Sequence, residues 1–144
     1  MELSAQGLDL IKRSEGFRAR EYRDLAGFST IGYGHRIVDG ESFPAGVSEE
    51  QASALLLADV CTAEKAVARL VCVPITQGQF DALVDFTFNL GAGRLAGSTL
   101  LRELNAGQVD SAGQLLLVWS YAAGVVNSGL LARREAELAL WRGV

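Results

Sequence analysis

Three side chains near the N-terminus have the types and spacing for hydrolysis of a glycosidic bond: Glu15, Asp24 nine residues on, and Thr30 six after that. Such hydrolysis needs two carboxyl groups in contrasting environments, one holding a proton for the leaving oxygen and one ionised. Glu15 precedes Gly16, which reads as a helix stop. The carboxyl should therefore sit at the negative pole of a helix, where its protonated form is favoured, and Phe17 beside it would add to the effect. Asp24 opens the turn string Asp24-Leu25-Ala26-Gly27. A turn carboxylate is more solvated and should stay ionised. Thr30 falls on a strand, where its hydroxyl could hold the attacking water. Gly32 and Gly34 follow it and would let a ligand approach the backbone closely, which makes Gly32 a candidate binding residue. With 17 acids among 144 residues, this spacing alone is not distinctive.

The elements that would position these residues can be read from pattern. Ser4 is a plausible N-cap for a first helix, with Leu8 and Ile11 on its buried face. From Phe17 to Gly46 turn formers alternate with β-branched and aromatic residues, which predicts a small antiparallel sheet of two or three strands. Ser48-Glu49-Glu50-Gln51 is a capping box for a long helix to about Leu70. Thr76-Gln77-Gly78-Gln79 is a second box, and its helix should stop near Asn89-Leu90-Gly91. A short helix from Ser98 to Asn105 follows. Asp110 is a fair cap for a helix carrying Leu115, Leu116, Val118 and Trp119, 124–129 reads as a loop, and Leu130 to Arg142 as the last helix. This order predicts an α+β fold: a small sheet-bearing lobe at about 15–60, joined by the long helix to a helical lobe at about 61–144 that takes in the N-terminal helix. The whole is one catalytic domain, and a cleft between lobes is a common place for a site.

Composition narrows the classes. The hydrophobic fraction of 49% and charged fraction of 21% exclude a largely disordered chain. The net charge of −4 argues against a nucleic-acid partner. The uncharged run Ser111 to Ala132 is interrupted by polar residues and glycines, so no membrane span is expected. The start, Met1-Glu2-Leu3-Ser4, lacks the basic and apolar segments of a secretory signal. Cys61 and Cys72 are expected to be buried free thiols. One His and no Cys/His cluster make a metal site unexpected.

The strings around the three residues carry more. Glu15-Gly16-Phe17, Tyr22-Arg23-Asp24 and Gly27-Phe28-Ser29-Thr30-Ile31-Gly32-Tyr33-Gly34-His35 closely resemble the phage-type, T4-lysozyme-like family (glycoside hydrolase family 24). That family's motif is a Glu, an Asp nine later, and a Thr six after that inside a T-I-G-x-G-H strand. Downstream, Val73 to Val84, Phe86 to Gly91 with Ser98 to Leu101, and Gly129 to Glu137 resemble its helical lobe, so the resemblance covers nearly the whole chain.

The resemblance implies a muramidase that cleaves the β-1,4 bond between N-acetylmuramic acid and N-acetylglucosamine in peptidoglycan. Glu15 matches the general acid, Asp24 the second carboxylate, as base or electrostatic support, and Thr30 the residue that positions water for inversion. The two carboxyls would then stand roughly 6.5–9.5 Å apart. Asn89 matches a cleft-facing amide position and is a candidate for binding an N-acetyl group. His35 reads as structural, Phe88 and Trp119 as core. Arg133 reads as a contact to a peptide-stem carboxylate or as part of a solvated helix face. No cofactor or metal is implied. The expected partner is peptidoglycan, with no nucleic acid and no stable membrane insertion, and the expected state is a monomer. Such an endolysin would be made in the host cytoplasm without a signal peptide and released to act on the wall, causing lysis. The chain departs from basic relatives in its low isoelectric point, near 5.0. Two other readings compete: a lytic transglycosylase, which needs neither Asp24 nor Thr30, and a non-catalytic wall-binding protein.

Overall fold

The computed structural model describes residues 1–144. The fold is α+β, and the chain forms two compact units, Ile11–Thr62 and Met1–Leu10 with Ala63–Val144.

In the first unit, the chain leaves helix α1 (Ala5–Glu15) through Gly16, whose φ of +72° is the left-handed stop that ends the helix. Strands β1 (Arg18–Arg23), β2 (Ser29–Gly32) and β3 (His35–Arg36) then form an antiparallel sheet in that order. The register sets Tyr22 opposite Thr30, and Thr30 opposite Arg36. Directly opposed residues point to the same face, so these three form a row across the sheet. β1 is an exposed edge strand rich in arginine, which discourages pairing with other chains. Ser48 starts helix α2 (Glu49–Leu70) with the expected reciprocal pair: its hydroxyl accepts from Gln51 N at 3.1 Å, and its N–H donates to Gln51 Oε1 at 2.8 Å. Gly32 packs directly on this helix, since a Cβ there would lie 3.0 Å from Ala52 Cβ.

In the second unit, helix α3 (Gln77–Leu90) starts from the Thr76 capping box and packs on α7 (Ser128–Arg142). Between them run α4 (Ala92–Ala96), α5 (Thr99–Asn105, capped by Ser98), α6 (Val109–Gln114) and a 3₁₀ segment, Leu115–Trp119. Three details differ from expectation. Asp110 lies in the first turn of α6, not at its cap; Gln108 holds the cap position and makes no side-chain cap bond. The stretch carrying Leu115 to Trp119 is wound as 3₁₀ and not as α-helix. The segment read as a loop contains a hairpin, β4 (Tyr121–Ala122) with β5 (Val125–Val126), closed by Ala123 and Gly124 at φ of +51° and +79°. Two-residue strands are too short to show a period in sequence, and Ala at positive φ is not a turn signal.

The cysteines are free as expected, but both are exposed. Cys61 falls on the outer side of α2, between the inward-facing Val60 and Ala63.

The α3–α7 contact holds buried charge. Arg133 donates to both carboxylate oxygens of Asp85, at 2.8 and 2.9 Å, so it does not lie on a solvated face. Arg134 and Glu137 are fully buried, with Arg134 Nη2 donating to Glu137 Oε1 at 2.6 Å and to Asn89 Oδ1 at 2.9 Å. The Arg134 guanidinium also lies 5.3 Å from the Phe86 ring centre. Burial, and the hydrogen bond and charge of Asp85, push Glu137 well above the usual carboxylate range.

Removing Asp85 would take away the buried carboxylate that holds the Arg133 guanidinium through two hydrogen bonds. Asp85→Ala is expected to cost about 3–5 kcal/mol. Thermal unfolding should show a fall of roughly 10 °C in Tm; a loss below about 1 kcal/mol would show that the pair is dispensable.

Candidate functional site

Glu15, Asp24, Thr30 and Gly32 all belong to the Ile11–Thr62 unit; Asn89 belongs to the other.

Glu15 is the last residue of α1 and half-buried. The turn between β2 and β3 closes on its carboxyl. At Gly34, with φ of +73°, a Cβ would lie 2.9 Å from Glu15 Oε2. The glycine is required twice over, by its backbone angle and by the carboxyl beside it.

Asp24 opens the turn after β1. Its Oδ1 accepts from the backbone N–H of Ala26 and of Phe28, both at 2.9 Å. This Asx-type arrangement explains why an Asp stands at the start of Asp24-Leu25-Ala26-Gly27. The second oxygen, Oδ2, lies 3.6 Å from Arg36 Nε and remains partly exposed.

Thr30 is only 2% exposed, and its hydroxyl donates to Phe28 O at 2.8 Å. A hydroxyl has one proton, so this bond leaves the oxygen's lone pairs to accept.

Tyr22 ties these groups together, and no role for it was drawn from the sequence. It is half-buried, opposite Thr30 on the sheet, with the Arg18 guanidinium over its ring at 4.3 Å. Burial raises its phenol pKa, and the charges of Glu15 and Asp24 raise it further against the opposing Arg18. The phenol thus stands in the field of both carboxyls and remains a neutral donor. The signal available in sequence was its position two residues before Asp24 on an alternating strand.

Gly32 is buried against Ala52 and Val47, so packing on α2 accounts for the glycine without a ligand. Asn89 is half-buried near the end of α3. Its Oδ1 is held by Arg134, which leaves the amide's N–H₂ as the end able to donate outward.

His35 and Tyr33 brace the same turn from below. His35 Nδ1 bonds Asp59 Oδ2 at 2.8 Å, and Nε2 bonds Glu41 Oε1 at 2.9 Å. Burial alone would lower the imidazole pKa, but the hydrogen bonds and charges of Asp59 and Glu41 outweigh it and raise the value. Glu41 is lowered, first by the Val38 N–H and then by His35. Asp59 goes the other way because burial outweighs its bond to His35. Tyr33 OH donates to Glu49 Oε1 at 2.8 Å, its ring centre lies 5.6 Å from that of Phe17, and Lys12 Nζ stands 5.3 Å from the ring centre.

A family model described as phage lysozyme matches residues 12–137. The chain is 42% identical to the endolysin of Salmonella phage P22 over 144 residues, covering 98% of each. It is 43% identical to the endolysin of Bacillus phage B103 over 143 residues, covering 98% of this chain and 54% of that protein, so it spans about half that relative's length. Among solved structures, the muramidase domain of SpmX from Asticaccaulis excentricus superposes with a TM-score of 0.88 at 38% identity, covering 97% of each chain.

The His35 clamp predicts a pH dependence. Its folded pKa lies above the ordinary 6.5, so its contribution is complete below about that pH and is lost as pH rises through the folded value. Glu41, lowered from 4.5, keeps its contribution above that pH and loses it on acidification through the folded value. The contributions of His35 and Glu41 are therefore both complete between about 4.5 and 6.5. His35→Gln is expected to cost about 2 kcal/mol near pH 6. The gap from wild type should narrow in unfolding series taken at rising pH; a gap constant to pH 9 would contradict the clamp.

Proposed function

This chain belongs to the phage lysozyme family, and from that premise we propose that it is an endolysin and muramidase. Its substrate is the β-1,4 bond between N-acetylmuramic acid and N-acetylglucosamine in bacterial peptidoglycan. The observation that carries the reading is the grouping of Glu15, Asp24 and Thr30 around one sheet, with the Gly34 backbone against the Glu15 carboxyl and Tyr22 in the field of both acids.

In this reading Glu15 gives its proton to the glycosidic oxygen as the bond from C1 breaks. A water accepted by Thr30 attacks C1 from the opposite face, and Asp24 takes the proton that the water loses. The product is a reducing N-acetylmuramic acid of inverted configuration. Thr30 suits this role because its own proton is committed to Phe28 O, which leaves its oxygen to accept from a water. Asp24 suits the base role because two backbone N–H groups hold Oδ1 and leave Oδ2 to the reaction. Asn89, with its oxygen held by Arg134, would donate to an N-acetyl carbonyl. Gly32 then serves the site by packing the sheet on α2. The chain acts as one catalytic domain, as a monomer, without cofactor or nucleic acid. No helix is long and apolar enough to cross a membrane. We take the protein to be made in the host cytoplasm and released to the wall.

Glu15→Gln is expected to lower the rate of glycan cleavage by at least about 10²-fold while binding to peptidoglycan persists. Mass spectrometry of fragments from purified peptidoglycan should show reducing N-acetylmuramic acid ends. Anhydro ends would make the enzyme a transglycosylase, and full activity in Glu15→Gln would remove Glu15 from the mechanism.

A further inference from the structure

One cation beside Thr30 is held by an ion pair and an aromatic ring, and its side chain makes no hydrogen bond. Arg36 stands opposite Thr30 on β3, with its guanidinium 4.0 Å from the Phe28 ring centre. Its Nε is 3.6 Å from Asp24 Oδ2, which is an ion pair across a gap and too long for a hydrogen bond. None of its N–H donors forms a hydrogen bond within the protein. Two arginines nearby differ: Arg23 donates to Gly27 O at 2.9 Å, and Arg20 reaches Pro44 O. Arg133, the arginine that the sequence offered for a peptide carboxylate, has that fork filled by Asp85. The Arg36 side chain is 59% exposed and Phe28 is 50% exposed. Asp24 is oriented by its two backbone bonds without needing Arg36.

A guanidinium resting on an aromatic ring has already lost part of its rotamer freedom, so less is lost when it binds. Its planar fork matches a carboxylate. The substrate class proposed above carries carboxylates on the short peptides attached to muramic acid. The protein itself carries −4, so a fixed cation beside the reacting bond offsets repulsion where it matters.

We propose that Arg36, held over Phe28, is a specificity-determining residue that receives a carboxylate of the peptide borne by the muramic acid at the cleaved bond. The proposal rests on the muramidase reading. It is separate from any positioning of Asp24, because it predicts dependence on the substrate's own charge.

The test compares wild type and Arg36→Gln on two substrates: purified peptidoglycan, and the same material with its carboxylates converted to methylamides. Wild type is expected to release reducing ends about fivefold faster from the untreated wall. In Arg36→Gln that ratio should approach one, and Phe28→Ala should lower it partway. A ratio unchanged in Arg36→Gln, or a wild type indifferent to the blocking, overturns the proposal. Melting temperatures confirm that the exposed substitutions leave the fold intact. Should wild type release no ends from either wall, the hydrolysis reading falls. Calorimetric binding of a soluble disaccharide-tetrapeptide and its methylamide then decides Arg36 separately. Carboxylate-dependent binding lost in Arg36→Gln supports the subsite, and binding indifferent to the carboxylates overturns it.

Discussion

The candidate site depends on a backbone approach that only glycine permits. At Gly34 the turn between β2 and β3 lies against the Glu15 carboxyl with φ in the left-handed region. Any side chain there would meet an oxygen of the proposed acid. Two residues earlier, Gly32 makes the same kind of approach to Ala52 on α2. One tight turn thus fixes the sheet against the helix that follows and against the end of the helix that precedes it. Thr30, on β2 just before this turn, has its place set by the same two contacts. The His35 clamp to Asp59 and Glu41 holds the far side of the turn. Charge and packing therefore converge on a segment of five residues, Ile31 to His35.

The two proposed carboxyls are held by different means. Asp24 is fixed by backbone donors within its own turn, a local arrangement that needs no distant partner. Glu15 is fixed by the helix end and by the turn that closes over it. Both side chains are half-buried, and the Gly34 backbone lies against the Glu15 carboxyl.

The other unit handles charge in the opposite way, by burying it. Arg133 with Asp85 and Arg134 with Asn89 join α7 to α3 through hydrogen bonds at 2.8–2.9 Å, and Arg134 also bonds Glu137 within α7 at 2.6 Å. Buried ions are weak sources of net stability but costly to break singly, so such a network favours one register between two helices. It also has a chemical consequence. Arg134 takes the oxygen of Asn89 and so decides which end of the amide faces outward. The orientation of a candidate sugar contact is set in the interior.

Much of the fold was legible because its signals are local. Both capping boxes, at Ser48 and Thr76, formed as the residue types dictate, and Gly16 ended α1. The Glu15, Asp24 and Thr30 spacing pointed to two-carboxylate chemistry without being distinctive, and the strings around it carried the resemblance to the phage-type lysozyme family. What sequence did not reveal involves partners far apart in the chain or elements too short to show a period. Asp85 and Arg133 are 48 residues apart, and nothing in the pattern of either helix marks the pair as buried. The hairpin at Tyr121 to Val126 has strands of two residues. Neither Tyr22 nor Arg36 had a role by residue type alone, and the register is what sets both beside Thr30. Residue type and short-range spacing are written in the chain; which charges are buried and which stay open to a ligand is decided by packing, because burial is a property of neighbours brought together only when the chain folds.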